Sequence, residues 1–193
     1  SKKCVKSAYV IVLKADLTNY DAALAAVIEN DHTVDSWTIY QAVVTANVVD
    51  TENTQAEVDA AALEITTAQS DLVTKVEAVE LLITNLPIAG AVELTDKAKI
   101  EEARVAYEAL TPTQQSSITG FAALVAAEVE IAVLEADASV ETAENQSTDA
   151  TRDEAQALVT ALPDSTEKTA LQDRLDAIVT AEDKAAAKAD LNI

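Results

Sequence analysis

Glycine and proline are almost missing from this chain, with two glycines, at positions 90 and 120, and three prolines in 193 residues. A β-rich fold must reverse its backbone every few residues, and those two residue types supply most of the reversals. Long runs of Ala, Glu, Lys and Leu instead favour helix. The fold class that follows is all-α. Two stretches, Thr54 to Leu86 and Phe121 to Asn145, contain neither breaker, and each is expected to run as one helix out of one bundle and into the next. Asn85 and Asp137 are poor helix formers inside those runs, but neither stops a helix. The reading is an elongated array of three small helical bundles joined through shared long helices, over residues 1–74, 75–135 and 136–193.

Apolar residues make up 49% of the chain, yet aromatics are only 3%. Cores built from Ala and Val let helices approach closely but bury little area per residue, so each unit is expected to be marginal alone. The formal charge is −21, from 34 acidic against 13 basic residues. A surface of that sign repels phosphate backbones, which argues against nucleic acid as a partner. Four of the few cations, Lys2, Lys3, Lys6 and Lys14, gather at one end, where they form either a solvated terminus or a contact with an acidic neighbour. No stretch has the length of a membrane span. Ala8 to Leu13 is apolar for too short a run to read as a signal peptide, and no small-residue cleavage site follows. The single cysteine, Cys4, forms no intrachain disulfide. A Met-free, nearly Cys-free, acidic and Thr-rich composition fits exported proteins of Gram-positive bacteria.

Helix starts are written clearly. Thr33 is the expected N-cap of a helix carrying Trp37, Tyr40, Val44 and Val48, after a first helix with Leu17, Tyr20, Leu24, Val27 and Ile28 at helical spacing. In Thr54-Gln-Ala-Glu57 the hydroxyl accepts the N–H three residues on while the glutamate reaches back, and Val58, Ala61, Ile65, Ala68 and Leu72 follow as the apolar stripe. Thr95 is expected to cap a helix with Ile100, Ala103, Tyr107 and Leu110 inward. Thr111-Pro-Thr-Gln114 is a second capping box with proline at the first helical position, and Gly120 is the expected left-handed stop. Thr151-Arg-Asp-Glu154 and Asp164-Ser-Thr-Glu167 are read as starts of the last two helices. Ala155, Leu158, Leu162, Leu171, Leu175 and Ile178 form their inward rows. The charged tail from Ala181 to Ile193 is expected to run on as helix.

The segments Thr33-Val-Asp-Ser-Trp37, Tyr40-Gln-Ala, Ala46-Asn-Val-Val, Thr54-Gln-Ala-Glu-Val-Asp59 and Ala68-Gln-Ser-Asp-Leu72 together resemble a FIVAR module over residues 17–73. FIVAR modules are small helical bundles of Gram-positive surface proteins, so the resemblance implies that fold and context. Leu94 to Thr111 resembles a helical repeat of cell-wall-anchored and S-layer-type proteins. Ala155 to Asp164 with Lys168 to Ala177 resembles another surface repeat of such bacteria. These resemblances imply an extracellular location at the bacterial surface.

Chemistry is hard to place. His32 is the only histidine, and although Asp31 and Asp35 flank it, three neighbours at a helix junction do not converge on one ion. Cys4 has no imidazole partner to activate it. Two glycines cannot build a phosphate loop, and the oxygen-rich segments Asp50 to Asn53 and Asn145 to Glu154 lack the ligand spacing of an EF-hand. Carboxylate pairs are too many for one to stand out. No catalytic, cofactor-binding or metal-ligating residue is therefore assigned, no cofactor is expected, and the chain is not read as an enzyme. Trp37, in helical register with Tyr40 and Val44, is read as a core plug rather than a sugar-stacking platform.

The function expected is a structural spacer or assembly segment of a surface protein. Its partners would be other domains of that protein, neighbouring copies, cell-wall polymer or a host protein. The alternative is an adhesin-type binding module. An exposed apolar or aromatic patch would mark a binding face, while a spacer would be charged all round.

Overall fold

The computed structural model describes residues 13–180, 183–185 and 187–188. Cys4, Lys2, Lys3 and Lys6 lie outside the described residues, as does most of the segment from Ala181 to Ile193. Every regular element among the described residues is helical: α1 (Thr18–Ala25), α2 (Val34–Ala46), α3 (Gln55–Gln69), α4 (Lys75–Thr84), α5 (Lys97–Glu108), α6 (Pro112–Gln115), α7 (Phe121–Gln146), α8 (Asp149–Ala161) and α9 (Thr166–Asp176). Short 3₁₀ turns at Glu29–Asp31 and Leu94–Asp96 complete the set. The chain divides into two compact units, Ser1–Ala78 and Val79–Ile193.

In the first unit α1 and α2 both pack on α3. Tyr20, Ala23, Tyr40, Val58, Ala61, Ala62 and Ile65 form the core, with Trp37, Leu24, Val44 and Leu72 half-buried against it. Thr33 accepts from the backbone N–H of Ser36, and Thr54 and Glu57 form the reciprocal capping box. Both expected starts are present. Ile28 and Val48, which the helical spacing places inward, are 63% and 72% exposed because α1 stops at Ala25 and α2 at Ala46.

The shared helix from Thr54 to Leu86 does not exist. α3 ends at Gln69 and α4 begins at Lys75. Between them the segment is taken by tertiary bonds: the N–H of Thr33 and the hydroxyl of Ser36 both donate to the Val73 carbonyl, at 2.9 and 3.2 Å. Thr74 forms an isolated antiparallel bridge with His32. Thr74 and Glu77 then close a further capping box, Glu77 accepting from the Thr74 N–H at 2.8 Å and donating its own N–H to the Thr74 hydroxyl at 3.1 Å. Each of these bonds satisfies a backbone group that a continuous helix would have used otherwise.

In the second unit α7 is unbroken from Phe121 to Gln146, as expected for that run, and ends on Ser147 in the left-handed region, φ 49°. It packs on α5 and, as a second group, on α8 and α9, which also pack on each other. Ala136, Val140, Ala143, Ala155, Val159, Leu162, Leu171, Leu175 and Ile178 form the core of that second group. Val159 is inward, whereas Leu158 is 37% exposed. Three caps differ from their expected positions. Glu93 and Asp96, not Thr95, bracket the turn into α5. Thr148 caps α8 by accepting from the N–H of Thr151, which places Thr151 inside the helix, and Ser165 rather than Asp164 caps α9. A serine or threonine can cap from any of several adjacent positions, and burial of the apolar row selects the register.

Gly120 is not a left-handed stop. Its φ and ψ of −77° and −1° lie in the right-handed region, and it is the N-cap of α7. Space is what it supplies, since a Cβ there would lie 2.8 Å from Cγ2 of Ile83. The left-handed glycine is Gly90, at φ +84°.

Candidate protein-binding surface

The histidine site has a structural job. His32 is half-buried, its Nδ1 lies 2.8 Å from the Ile28 carbonyl, and its ring stacks on Trp37 with centroids 5.9 Å apart. Asp35 is exposed at the start of α2. Trp37 itself lies between core plug and open platform: it packs on Tyr40 with ring centroids 5.1 Å apart and against the first core, but it is not sealed from solvent. Among the described residues no group of three or more His, Cys, Asp or Glu side chains is placed to hold a metal ion. No described helix is long and apolar enough to cross a membrane.

The second unit is held by charge-assisted locks on α7. Glu80 of α4 accepts from the backbone N–H groups of Thr119 and Gly120 and from the Thr119 hydroxyl. Its carboxylate thus caps α7 from 39 residues away, where free N–H groups and the helix dipole favour negative charge. The Thr119 N–H holds the Glu80 carboxyl below its ordinary range. Arg104 forms a bidentate pair with Glu128 and lies over the rings of Tyr107 and Phe121, 5.6 and 5.3 Å from their centroids. Those two rings stack 4.6 Å apart. Arg174 of α9 grips Glu144 with two bonds of 2.8 and 2.9 Å and reaches Asp137 as well, which raises its basicity further. Planar forks of this kind fix geometry better than a lysine would.

With α7 so anchored, one of its faces is left open. Ala122, Val125, Ala126, Val129 and Val133 form the floor of a groove of about 710 Å³, bounded by Gly90 and by Ser165 and Glu167 at the start of α9. Val125 and Val129 are 36% and 38% exposed. Glu130 stands at its edge and accepts from the Gly90 N–H at 2.9 Å, fixing the loop that bounds it. Ile88, two residues before Gly90, is 81% exposed. The groove's lining offers the carboxylates of Glu130 and Glu167, the Ser165 hydroxyl and otherwise apolar side chains. It can hold an apolar ridge. No candidate residue marked it in advance, although the signal is present: positions 122, 125, 126, 129 and 133 repeat at helical spacing beside the buried row Leu124, Ala127 and Ile131. An α-helix with two apolar stripes has one more than its own bundle uses.

The floor of the groove lies within a recognisable segment. Residues 103–191 match the family model of the GA-like domain. GA-like domains are modules of Gram-positive surface proteins. The matched span takes in the second half of α5 and all of α6, α7, α8 and α9. No curated protein and no solved structure matches the chain.

Proposed function

We propose that this chain belongs to an extracellular surface protein of a Gram-positive bacterium, and that its second unit is a protein-binding module using the open face of α7. The observation that carries this reading is the groove floored by Ala122, Val125, Ala126, Val129 and Val133, since a spacer charged all round would have no use for a second apolar stripe. The GA-like match over the same residues supports it. GA modules are albumin-binding, which makes serum albumin the first ligand to test. Titration of the whole chain with serum albumin should show saturable binding. Val129→Glu, which puts a charge on the groove floor without touching either core, should weaken that binding at least about tenfold while leaving the helical signal unchanged. An absence of saturable binding would remove albumin as the ligand, and binding that Val129→Glu leaves intact would overturn the use of this face.

A spacer or assembly role is the second reading, favoured by α7 itself. One unbroken helix of 26 residues packs on α5 and on the pair α8 and α9. The two helix groups of that unit are thereby set at one separation. The resemblance of residues 17–73 to a FIVAR module belongs to this reading too, as does a division into bundles at 74/75 and 135/136.

A further inference from the structure

We infer that the groove on α7 takes an amphipathic helix whose apolar stripe is flanked by lysine or arginine, presented by the partner protein. The inference rests on the binding role proposed above and names the element that fills the site. Three observations carry it. The floor is made mainly of Ala and Val at positions 122 to 133, with Leu134 also in the lining, side chains mostly short enough for a second helix axis to approach closely, and the repeat at intervals of three and four is the pattern one helix offers another. The lining includes the carboxylates of Glu130 and Glu167 and, among the described residues, no lysine or arginine. Glu130 accepts from the Gly90 N–H at 2.9 Å and Glu167 from the hydroxyl of Thr166 at 3.1 Å, and both carboxylates belong to the groove lining. The chain as a whole carries −21, which favours approach of a cationic element and discourages pairing of two copies of the chain through this face.

The test uses the full chain and two synthetic helical peptides roughly four turns long. Both carry a Leu/Ala stripe; one is flanked by Lys and the other by Glu. The Lys peptide should bind saturably and the Glu peptide should not. Because a cationic peptide is attracted to any acidic chain, the decisive variant changes no charge: Ala126→Leu fills the floor and should weaken binding at least about tenfold. Glu130→Gln with Glu167→Gln should weaken it more than the double change Glu141→Gln with Glu154→Gln, which alters exposed carboxylates outside the groove. Circular dichroism of each variant checks that the fold is kept. Equal binding of the two peptides, equal binding to Ala126→Leu, or a concentration-dependent dimer that occludes the face would each overturn the inference. Serum albumin titrated against the same variants separates the two claims. Peptide binding without albumin binding removes only the albumin reading, whereas albumin binding without peptide binding removes only the cationic helix.

Discussion

Single residues in this protein act through the space and the hydrogen bonds around them. Gly120 has an ordinary right-handed backbone, and any residue could adopt its φ. What forbids a side chain is the buried Ile83, whose Cγ2 would lie 2.8 Å from a Cβ, with Glu80 Oε2 at 3.0 Å. Gly120→Ala should therefore destabilise the second unit by about 1–3 kcal/mol, the usual range for overpacking, measurable by urea denaturation; an unchanged midpoint would mean that α4 shifts freely. Glu80 offers a second measurement. Its carboxyl is depressed below the ordinary value of 4.5 by the Thr119 N–H first and then by the Thr119 hydroxyl and Gly120 N–H. A depressed carboxyl stabilises the folded state fully above its unfolded value and loses that effect as pH falls through the folded value. Stability should thus decline as pH drops below about 4.5, the ordinary carboxyl value, and Glu80→Gln should flatten that part of the curve. Partial exposure keeps the effect small through solvent screening, so the difference between the two curves is the quantity to read. None of this was legible along the chain, because Glu80 and Thr119 are 39 positions apart and nothing in either neighbourhood announces the other.

At the scale of elements, caps decide where helices stop more firmly than breakers do. The sequence has Thr-x-x-Glu at positions 74 to 77, the same pattern that starts α3 at Thr54 and Glu57. Taken as a start, it ends the preceding helix without any glycine or proline. The break at 70–74 changes what a proline at Lys75 would do. In a continuous helix it would remove a hydrogen bond and clash with the preceding turn, at about 3 kcal/mol. Lys75 is instead the first residue of α4, where the missing N–H has no intrahelical partner and the fixed φ suits the helix. Lys75→Pro should therefore shift stability by less than about 1 kcal/mol, whereas Ala60→Pro in the middle of α3 should cost about 3 kcal/mol or more. Equal losses in thermal denaturation would mean that the helix break is absent in solution. For α7 the same rules give the opposite outcome. The run from Phe121 to Asn145 contains no Ser or Thr followed three residues later by Glu or Gln that stops it, and the helix continues to Gln146.

Charge governs the whole molecule. A formal charge of −21 on 193 residues opposes compaction through self-repulsion. The ion pairs Lys97–Glu135, Arg104–Glu128 and Arg174–Glu144 neutralise a few of those charges on and around α7. Raising the ionic strength from about 10 mM to about 150 mM shortens the screening length from roughly 30 to roughly 8 Å, so repulsion among distant carboxylates fades while the close pairs persist. The melting temperature should rise over that interval, and a fall would show that the ion pairs outweigh the repulsion. Composition and period alone determined the all-α class, the starts at Thr33, Thr54 and Thr111 and most of the inward rows. The caps and rows depend on residues within about four positions of each other, the range over which helix starts and stripes are written. Tertiary structure decided the break between α3 and α4, the role of Gly120, the capping of α7 by Glu80 and the open groove. Each of these depends on which backbone or side-chain group a distant segment brings within bonding distance, and a groove in particular is a face that the rest of the unit has not covered.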